Sequence, residues 1–379
     1  MTMLAEVLTP VKDSVRVDDT INALLISVRL HGKGAVRRVP GDGKEPAPFT
    51  GNRGRAGQFV FSRIWARRGA MALIPPELDG VVVTNEFPIF DIDRDRLDAG
   101  YLSHYVQSAG FISNLERVSA GASGQNRVKE SAFLGLEIPL PSLLEQRRIV
   151  TILDQANAIR AKRRRILTHF DSLTETVSRE FFASVAHDAR PLGDLATKVV
   201  VGHVGPTSEY FREAGVPFLR TGNVGDGVVN VDDLRYVTEE FHNRLRKSQL
   251  ASGDVLVSRV ITDRVRAALL PSSLDGANCA NIIVVRPSAS LLGSTILGYL
   301  GLAETQRHLL GRKVGSAQGV VNTTVLKQLP IPLVSAEDQR RFERIVTGLH
   351  EQRSSVERAV AADDELFASL QSRAFRGEL

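Results

Sequence analysis

One cluster of reactive side chains is Ser62-Arg63-Ile-Trp65-Ala-Arg67-Arg68, with three guanidinium groups in close succession. A second basic run is Arg160-Ala-Lys162-Arg-Arg-Arg165. Guanidinium groups offer forked donors to carboxylates, phosphates and base edges. The groups that catalysis needs are not gathered in the same way. Cys279 has no nearby histidine to activate it, and the eight histidines show no metal-ligand spacing. Asp91, Asp93 and Asp95 alternate with Ile92 and Arg94, which reads as an exposed strand end more readily than as a Mg²⁺ site. No Gly-x4-Gly-Lys-Ser/Thr loop is present to cradle nucleotide phosphates. Pro75-Pro76-Glu77 lacks the polar and aromatic flanks of the amino-methyltransferase signature Asp/Asn-Pro-Pro-Tyr/Phe. The expected chemistry is therefore binding without catalysis, and no cofactor or metal is expected. A net charge of +5 and a pI near 9.5 suggest an anionic partner such as nucleic acid.

At 379 residues the chain has room for two or three domains. Its single cysteine excludes an internal disulfide and a thiolate cluster, which fits a reducing compartment. Glu6 and Asp13 interrupt the N-terminal stretch, which has no apolar core of a signal peptide. No apolar run approaches membrane-spanning length; Ile282-Ile-Val-Val285 suits a buried strand. A cytoplasmic location without membrane contact is expected.

The elements that must position the arginines come in two copies. Leu136-Glu-Ile-Pro-Leu-Pro-Ser142 leads into Glu145-Gln-Arg-Arg-Ile149 and a charged helix pattern to about Phe182. Leu329-Pro-Ile-Pro-Leu-Val-Ser335 leads likewise into Asp338-Gln-Arg-Arg-Phe342 and a helix pattern to about Phe375. The offset between copies is 193 residues throughout, and Ser123-Gly-Gln125 maps onto Ser316-Ala-Gln318 at the same offset. Repeats of this kind fix architecture. Ser142 with Glu145 predicts a capping box, and Ser335 with Asp338 a weaker one. Ile152, Ala156, Ile159, Arg163, Ile166, Phe170, Leu173 and Val177 step by four and three, as a coiled-coil seam does. The aligned second seam is Ile345, Leu349, Gln352, Val356, Ala359, Asp363, Leu366 and Leu370. Polar residues at Arg163, Gln352 and Asp363 are expected to fix register, so that the two helices pair with each other.

Ahead of each helix lies a β-rich region. Gln58-Phe-Val-Phe61 and Val81-Val-Val-Thr84 read as strands, Gly32 to Arg55 as an exposed loop, and Asp98 to Leu115 as helix with Leu102, Tyr105 and Val106 on one face. Gly57-Gln-Phe-Val-Phe-Ser62-Arg63 and Gly253-Asp-Val-Leu-Val-Ser258-Arg259 align at an offset of 196, as does Asn85 with Asn281. The expected domains are 1–141, a helix over 142–187, a second β-rich domain over 188–334 and a helix over 335–379.

These motifs resemble the specificity subunit of type I restriction–modification systems along essentially the whole chain. The resemblance rests on Gly121-Ala-Ser-Gly-Gln-Asn126-Arg127, Leu136-Glu-Ile-Pro-Leu-Pro and Glu145-Gln-Arg-Arg-Ile149, recurring as Gly315 to Val321, Leu329 to Leu333 and Asp338 to Phe342. The second copy departs from the first, with Gly319-Val-Val321 in place of Asn-Arg-Val. The resemblance implies an α+β fold of two target recognition domains, 1–141 and 188–334, separated by two helices in an antiparallel coiled coil about a pseudo-twofold axis. It implies a non-catalytic chain that reads a bipartite, asymmetric site on double-stranded DNA. The partners implied are modification subunits, two in number, carrying adenine methylation with S-adenosylmethionine, and ATP-driven restriction subunits. Helices of about 40 residues, roughly 60 Å long, would act as the ruler that sets the spacer. A coiled-coil scaffold that binds only protein is the competing expectation.

Arginine pairs with guanine, and asparagine or glutamine with adenine, in the major groove. The expected DNA contacts in the first domain are Arg53, Arg55, Arg63, Arg67, Arg68, Asn85, Gln125 and Arg127. In the second they are Arg220, Asn223, Arg259, Arg264, Arg266, Gln318 and Asn322. Base reading is expected of Arg67, Arg68, Arg264 and Arg266. Arg63 and Arg259, which recur at one place in both domains, suit phosphate contact or loop support. Asn85 and Asn281 also suit turns. The run from Arg160 to Arg165 reads as a solvated helix face ahead of a contact with spacer phosphates.

Overall fold

Uninterrupted apolar runs such as Phe59-Val-Phe61 cannot be strands with one wet face, since alternate residues point to opposite sides of a sheet. In the structure, a computed structural model, both faces are covered. It describes residues 1–39, 47–119, 127–185, 188–261, 263–311 and 319–379. The chain divides into two compact units, Met1–Arg163 with Ala359–Leu379, and Arg164–Arg358. Each unit thus takes part of both long helices, which run over Leu143–Val185 and Ala336–Arg376.

The first unit is built on an antiparallel sheet of β1 (Leu8–Pro10), β2 (Phe59–Phe61), β3 (Met71–Leu73) and β4 (Ile89–Ile92), in the order β1-β4-β2-β3. Phe59 and Phe61 join a core with Phe90, Phe133 and the helices Ala99–Val106 and Ala109–Ser119. Val60 faces the other way into a second cluster with Ile26, Ile74 and Val83. That second layer contains a hairpin, Ile26–Val28 with Ala35–Arg37, and a three-stranded sheet of Ser14–Val17, Phe49–Arg53 and Val82–Val83. The stretch from Gly32 to Arg55, expected as loop, therefore carries two strands. The helix expected from Asp98 to Leu115 breaks at Gln107 and Ser108 into two. Asp98 caps the first by accepting the Tyr101 N–H at 3.1 Å, and Leu102, Tyr105 and Val106 are all buried.

The second unit repeats this plan. Its sheet comprises β5 (Ala196–Val201), β6 (Val255–Ser258), β7 (Ala267–Leu269) and β8 (Ile282–Pro287), in the order β5-β8-β6-β7. Val255 and Val257 face one core and Leu256 another. The pairings Phe59 with Leu73 and Val255 with Leu269 occupy matching registers. The second layer differs: Phe211–Arg212, Arg235–Val237, Val216–Leu219 and Asn278–Cys279 form a four-stranded sheet.

Both long helices start on a serine cap. Ser142 Oγ accepts the Glu145 N–H at 3.3 Å, but the Glu145 carboxylate bonds Arg148 instead of closing a box. Ser335 Oγ accepts the Asp338 N–H at 3.1 Å and donates to its carboxylate at 2.7 Å, so the second cap has the shorter bonds. Gln146 and Gln339, one turn on, are buried. Gln146 Oε1 accepts the Asp98 N–H at 2.8 Å, and its Nε2 donates to the Arg96 and Pro141 carbonyls, each at 2.9 Å. Gln339 Oε1 accepts the Leu292 N–H at 2.7 Å, and its Nε2 donates to the Ser290 and Val334 carbonyls. The repeated glutamine therefore clamps each helix base to its own globular layer.

The helices pair antiparallel within each unit, with the seam displaced by one residue at alternate positions. Ile152, Ala156, Arg163, Phe170, Val177, Leu349, Val356, Ala359, Asp363 and Leu370 are half-buried, as expected. Ile159, Ile166 and Leu173 are instead 49%, 42% and 46% exposed, and Ile345, Gln352 and Leu366 are exposed too. Leu153, Arg160, Leu167 and Thr174 turn inward, as do Val346, Arg353, Val360 and Phe367. At Arg160 and Arg353 the inward contacts are polar. Arg160 lies 4.3 Å over the Phe367 ring and bonds Asp364 at 2.7 Å. Arg163 pairs with Asp363, and in the second unit Arg353 pairs with Asp171 at 2.9 Å and with Glu357. At Arg160 an ion pair and a cation–π contact occupy the place that the apolar pattern assigns to Ile159.

Candidate nucleic-acid interface

The loop after β2 is shaped by backbone bonds before any side chain is considered. Ser62 N–H donates to the Ala70 carbonyl, Ser62 Oγ accepts the Trp65 N–H at 3.3 Å, and a tight turn over Ala66–Arg68 ends on Gly69 at φ +74°. This turn presents Arg67 and Arg68, with Arg68 at 5.3 Å over the Trp65 ring. The Arg63 carbonyl accepts the Val128 N–H at 2.8 Å, and the Arg259 carbonyl accepts the Val321 N–H at 3.0 Å. The recurring Ser-Arg pair thus pins the same downstream segment in both units. The Arg63 side chain also bonds Glu130 at 3.1 Å, which favours loop support over base reading.

The other first-unit candidates are spread around this loop. Arg127 pairs with Glu86, and Asn85 beside it is exposed. Arg53 and Arg55 are exposed at and after the end of the strand Phe49–Arg53. Gln125, like Gln318, lies outside the described residues. Residues that the sequence does not single out stand nearby: Arg29, Lys33 and Arg37 are exposed on the hairpin Ile26–Arg37. Most of their segment reads as loop, although its Gly and basic content is a visible signal.

In the second unit the candidates separate. Asn223 is 4% exposed, and its amide is spent on the Arg220 N–H at 2.8 Å and the Asn230 carbonyl at 2.9 Å. It is a turn clamp, and burial takes it out of reach of a base. Asn322 caps the helix Thr323–Lys327 by accepting the Thr324 N–H at 2.9 Å. Asn281 sits at φ +54°, the left-handed turn conformation asparagine tolerates. Arg220 bonds Asp233 at 2.6 Å, Arg264 lies 3.4 Å from Asp226, and Arg266 lies 4.0 Å from Asp263. These partly exposed pairs contribute about 0–1 kcal/mol, so a phosphate or guanine can displace the carboxylate at little cost.

The loop bearing Arg264 borders a cavity of about 320 Å³ that is lined by Asp171, Asp226, Arg264, His350 and Arg353. Burial, helped by the Arg353 charge, pulls the His350 pKa below its ordinary 6.5. Burial pushes the Cys279 thiol up to about 12, which makes it inert as a nucleophile. Among the described residues no group of three His, Cys, Asp or Glu side chains could hold a metal, and no helix is long and apolar enough to cross a membrane.

No model of a known protein family matches the chain. It is similar to the type I restriction enzyme StySPI specificity subunit of Salmonella potsdam, 24% identical over 308 residues, 75% of this chain and 66% of the relative. The EcoKI specificity subunit of Escherichia coli strain K12 is 24% identical over 317 residues, 74% of this chain and 66% of the relative. The matches therefore span just under two thirds of each relative's length. Among solved structures, the type I restriction–modification S subunit from M. genitalium superposes with a TM-score of 0.56 at 13% identity, over 98% of this chain and 95% of that one. That likeness is one of fold.

Proposed function

We propose that this chain, a member of the family of type I restriction–modification specificity subunits, reads a bipartite, asymmetric target on double-stranded DNA. One observation carries the reading. Two units share one strand order in their main sheets and the same pinned Ser-Arg segment, yet diverge directly after it: Ala66–Arg68 forms a turn in the first, and Val260–Ile261 a strand in the second. A duplicated scaffold with divergent loops suits two unlike half-sites.

The chain itself is non-catalytic. Methyl transfer to adenine belongs to two modification subunits, and ATP-dependent translocation and cleavage to restriction subunits. The paired helices set the spacer between half-sites. Arg67, Arg68, Arg264 and Arg266 read bases; Arg53, Arg55 and Arg127 supply phosphate contacts.

The test is methylation by the assembled complex. Incubating the chain and its modification partners with unmodified DNA should place methyl-adenine at one bipartite sequence, read by sequencing. Methylation without sequence preference would remove the reading. Within it, Arg264→Ala should cost about 1–3 kcal/mol of discrimination at one position of one half-site and leave the other half-site untouched.

A further inference from the structure

The hairpin Ile26–Arg37 is joined to the loop 62–70 at its tip. His31 N–H donates to the Arg68 carbonyl at 2.7 Å and Gly32 N–H to the Gly69 carbonyl at 3.0 Å. Gln107 closes the joint from the helical side, its Nε2 donating to the Gly69 carbonyl at 3.2 Å and the Met71 carbonyl at 3.0 Å. Side chains at the two glycines would crowd the Gln107 amide and displace it from this joint. A Cβ on Gly32 would stand 2.8 Å from Gln107 Cδ, and one on Gly69 would stand 2.7 Å from Gln107 Oε1. His31 holds φ +58°, a conformation costly for a non-glycine residue and often kept where function needs it.

This joint presents apolar side chains next to cations. Ile64 and Trp65, large apolar side chains, are 42% and 46% exposed. Arg67 and Arg68 follow on the same turn, and Arg29, Lys33 and Arg37 are exposed on the joined hairpin. An exposed aromatic with one guanidinium over its ring, on a turn hydrogen-bonded to a hairpin that carries three further exposed cations, suits a duplex, where base edges are flanked by phosphates.

We infer that the hairpin Ile26–Arg37 and the loop 62–70 form one composite DNA-binding surface, in which Trp65 contacts a base and Arg29, Lys33 and Arg37 contact phosphates. The inference rests on the proposed DNA reading. The hairpin supplies sequence-independent grip, and its bolted tip carries that grip to the reading turn.

Trp65 is the only tryptophan in the chain, so it reports on itself. The full chain, labelled with 5-fluorotryptophan and assembled with unlabelled modification partners, gives a single ¹⁹F signal. Titration with a duplex carrying the methylated site should shift that signal, and in the chain alone DNA should shield Trp65 emission from iodide. Lys33→Gln with Arg37→Gln should weaken binding alike for all sequences and lower the salt slope by about two. If anisotropy reports a bound duplex while the Trp65 signal and the double variant's salt slope stay unchanged, the inference is overturned and the DNA reading stands. If no duplex binds at low salt, the DNA reading fails and the inference fails with it.

Discussion

Gln146 accepts the backbone N–H of Asp98 at 2.8 Å while its own N–H groups bond the Arg96 and Pro141 carbonyls, and Gln339 does the same for Leu292, Ser290 and Val334. A buried amide with donors and acceptor both used is specific to glutamine at this length. Replacing Gln146 or Gln339 with leucine strands these backbone groups away from water, at roughly 1–3 kcal/mol for each orphaned group. Denaturant titration should show that loss. Glutamate should be no better, because a carboxylate has no donor for two carbonyls.

The displaced seam can be tested by paired substitutions. Ile159 is half-exposed, so Ile159→Ala should change stability by no more than about 0.5 kcal/mol. Arg160, next to it, is 18% exposed and meets both Asp364 and Phe367. Arg160→Ala should cost about 1–2 kcal/mol by thermal denaturation. The opposite ranking would restore the seam through Ile159.

His350 should make stability depend on pH. Its folded pKa lies below the 6.5 of the unfolded chain because burial disfavours the imidazolium and Arg353 repels it. Below pH 6.5 the unfolded state binds a proton that the folded state refuses. Stability is therefore complete above 6.5 and declines as pH falls through it towards the folded value. Asp171, Glu175, Asp226, Arg264 and Arg353 line the same cavity, so the isolating measurement is the difference between wild type and His350→Gln. That substitution should flatten the profile as pH falls from 6.5; an unchanged profile would show that His350 charges freely in the fold.

The proposed spacing role of the helices carries a separate prediction. Four residues inserted into the first long helix add about one turn, or roughly 6 Å. Methylation mapping should then find a changed spacer between unchanged half-sites. A changed half-site would mean that the helices take part in base reading.

Duplication, the position of both helix starts and the strand after Gly57 were legible in the sequence, because they depend on local rules: serine caps, proline exclusion and uninterrupted apolar runs. The partner of each loop was not. That Asn223 is spent on Arg220 and Asn230, that Asn322 is a cap, and that a hairpin joins Arg68 are facts of how separate segments approach one another. The seam shows the difference most clearly. Apolar spacing placed it on Ile159, Ile166 and Leu173, since hydrophobicity is a property of single residues. Only tertiary structure could bring Arg160 to Asp364 and Phe367, and Arg353 to Asp171, and so turn charged side chains inward. A guanidinium can turn inward when a carboxylate meets it, and that carboxylate lies about two hundred residues away in the chain.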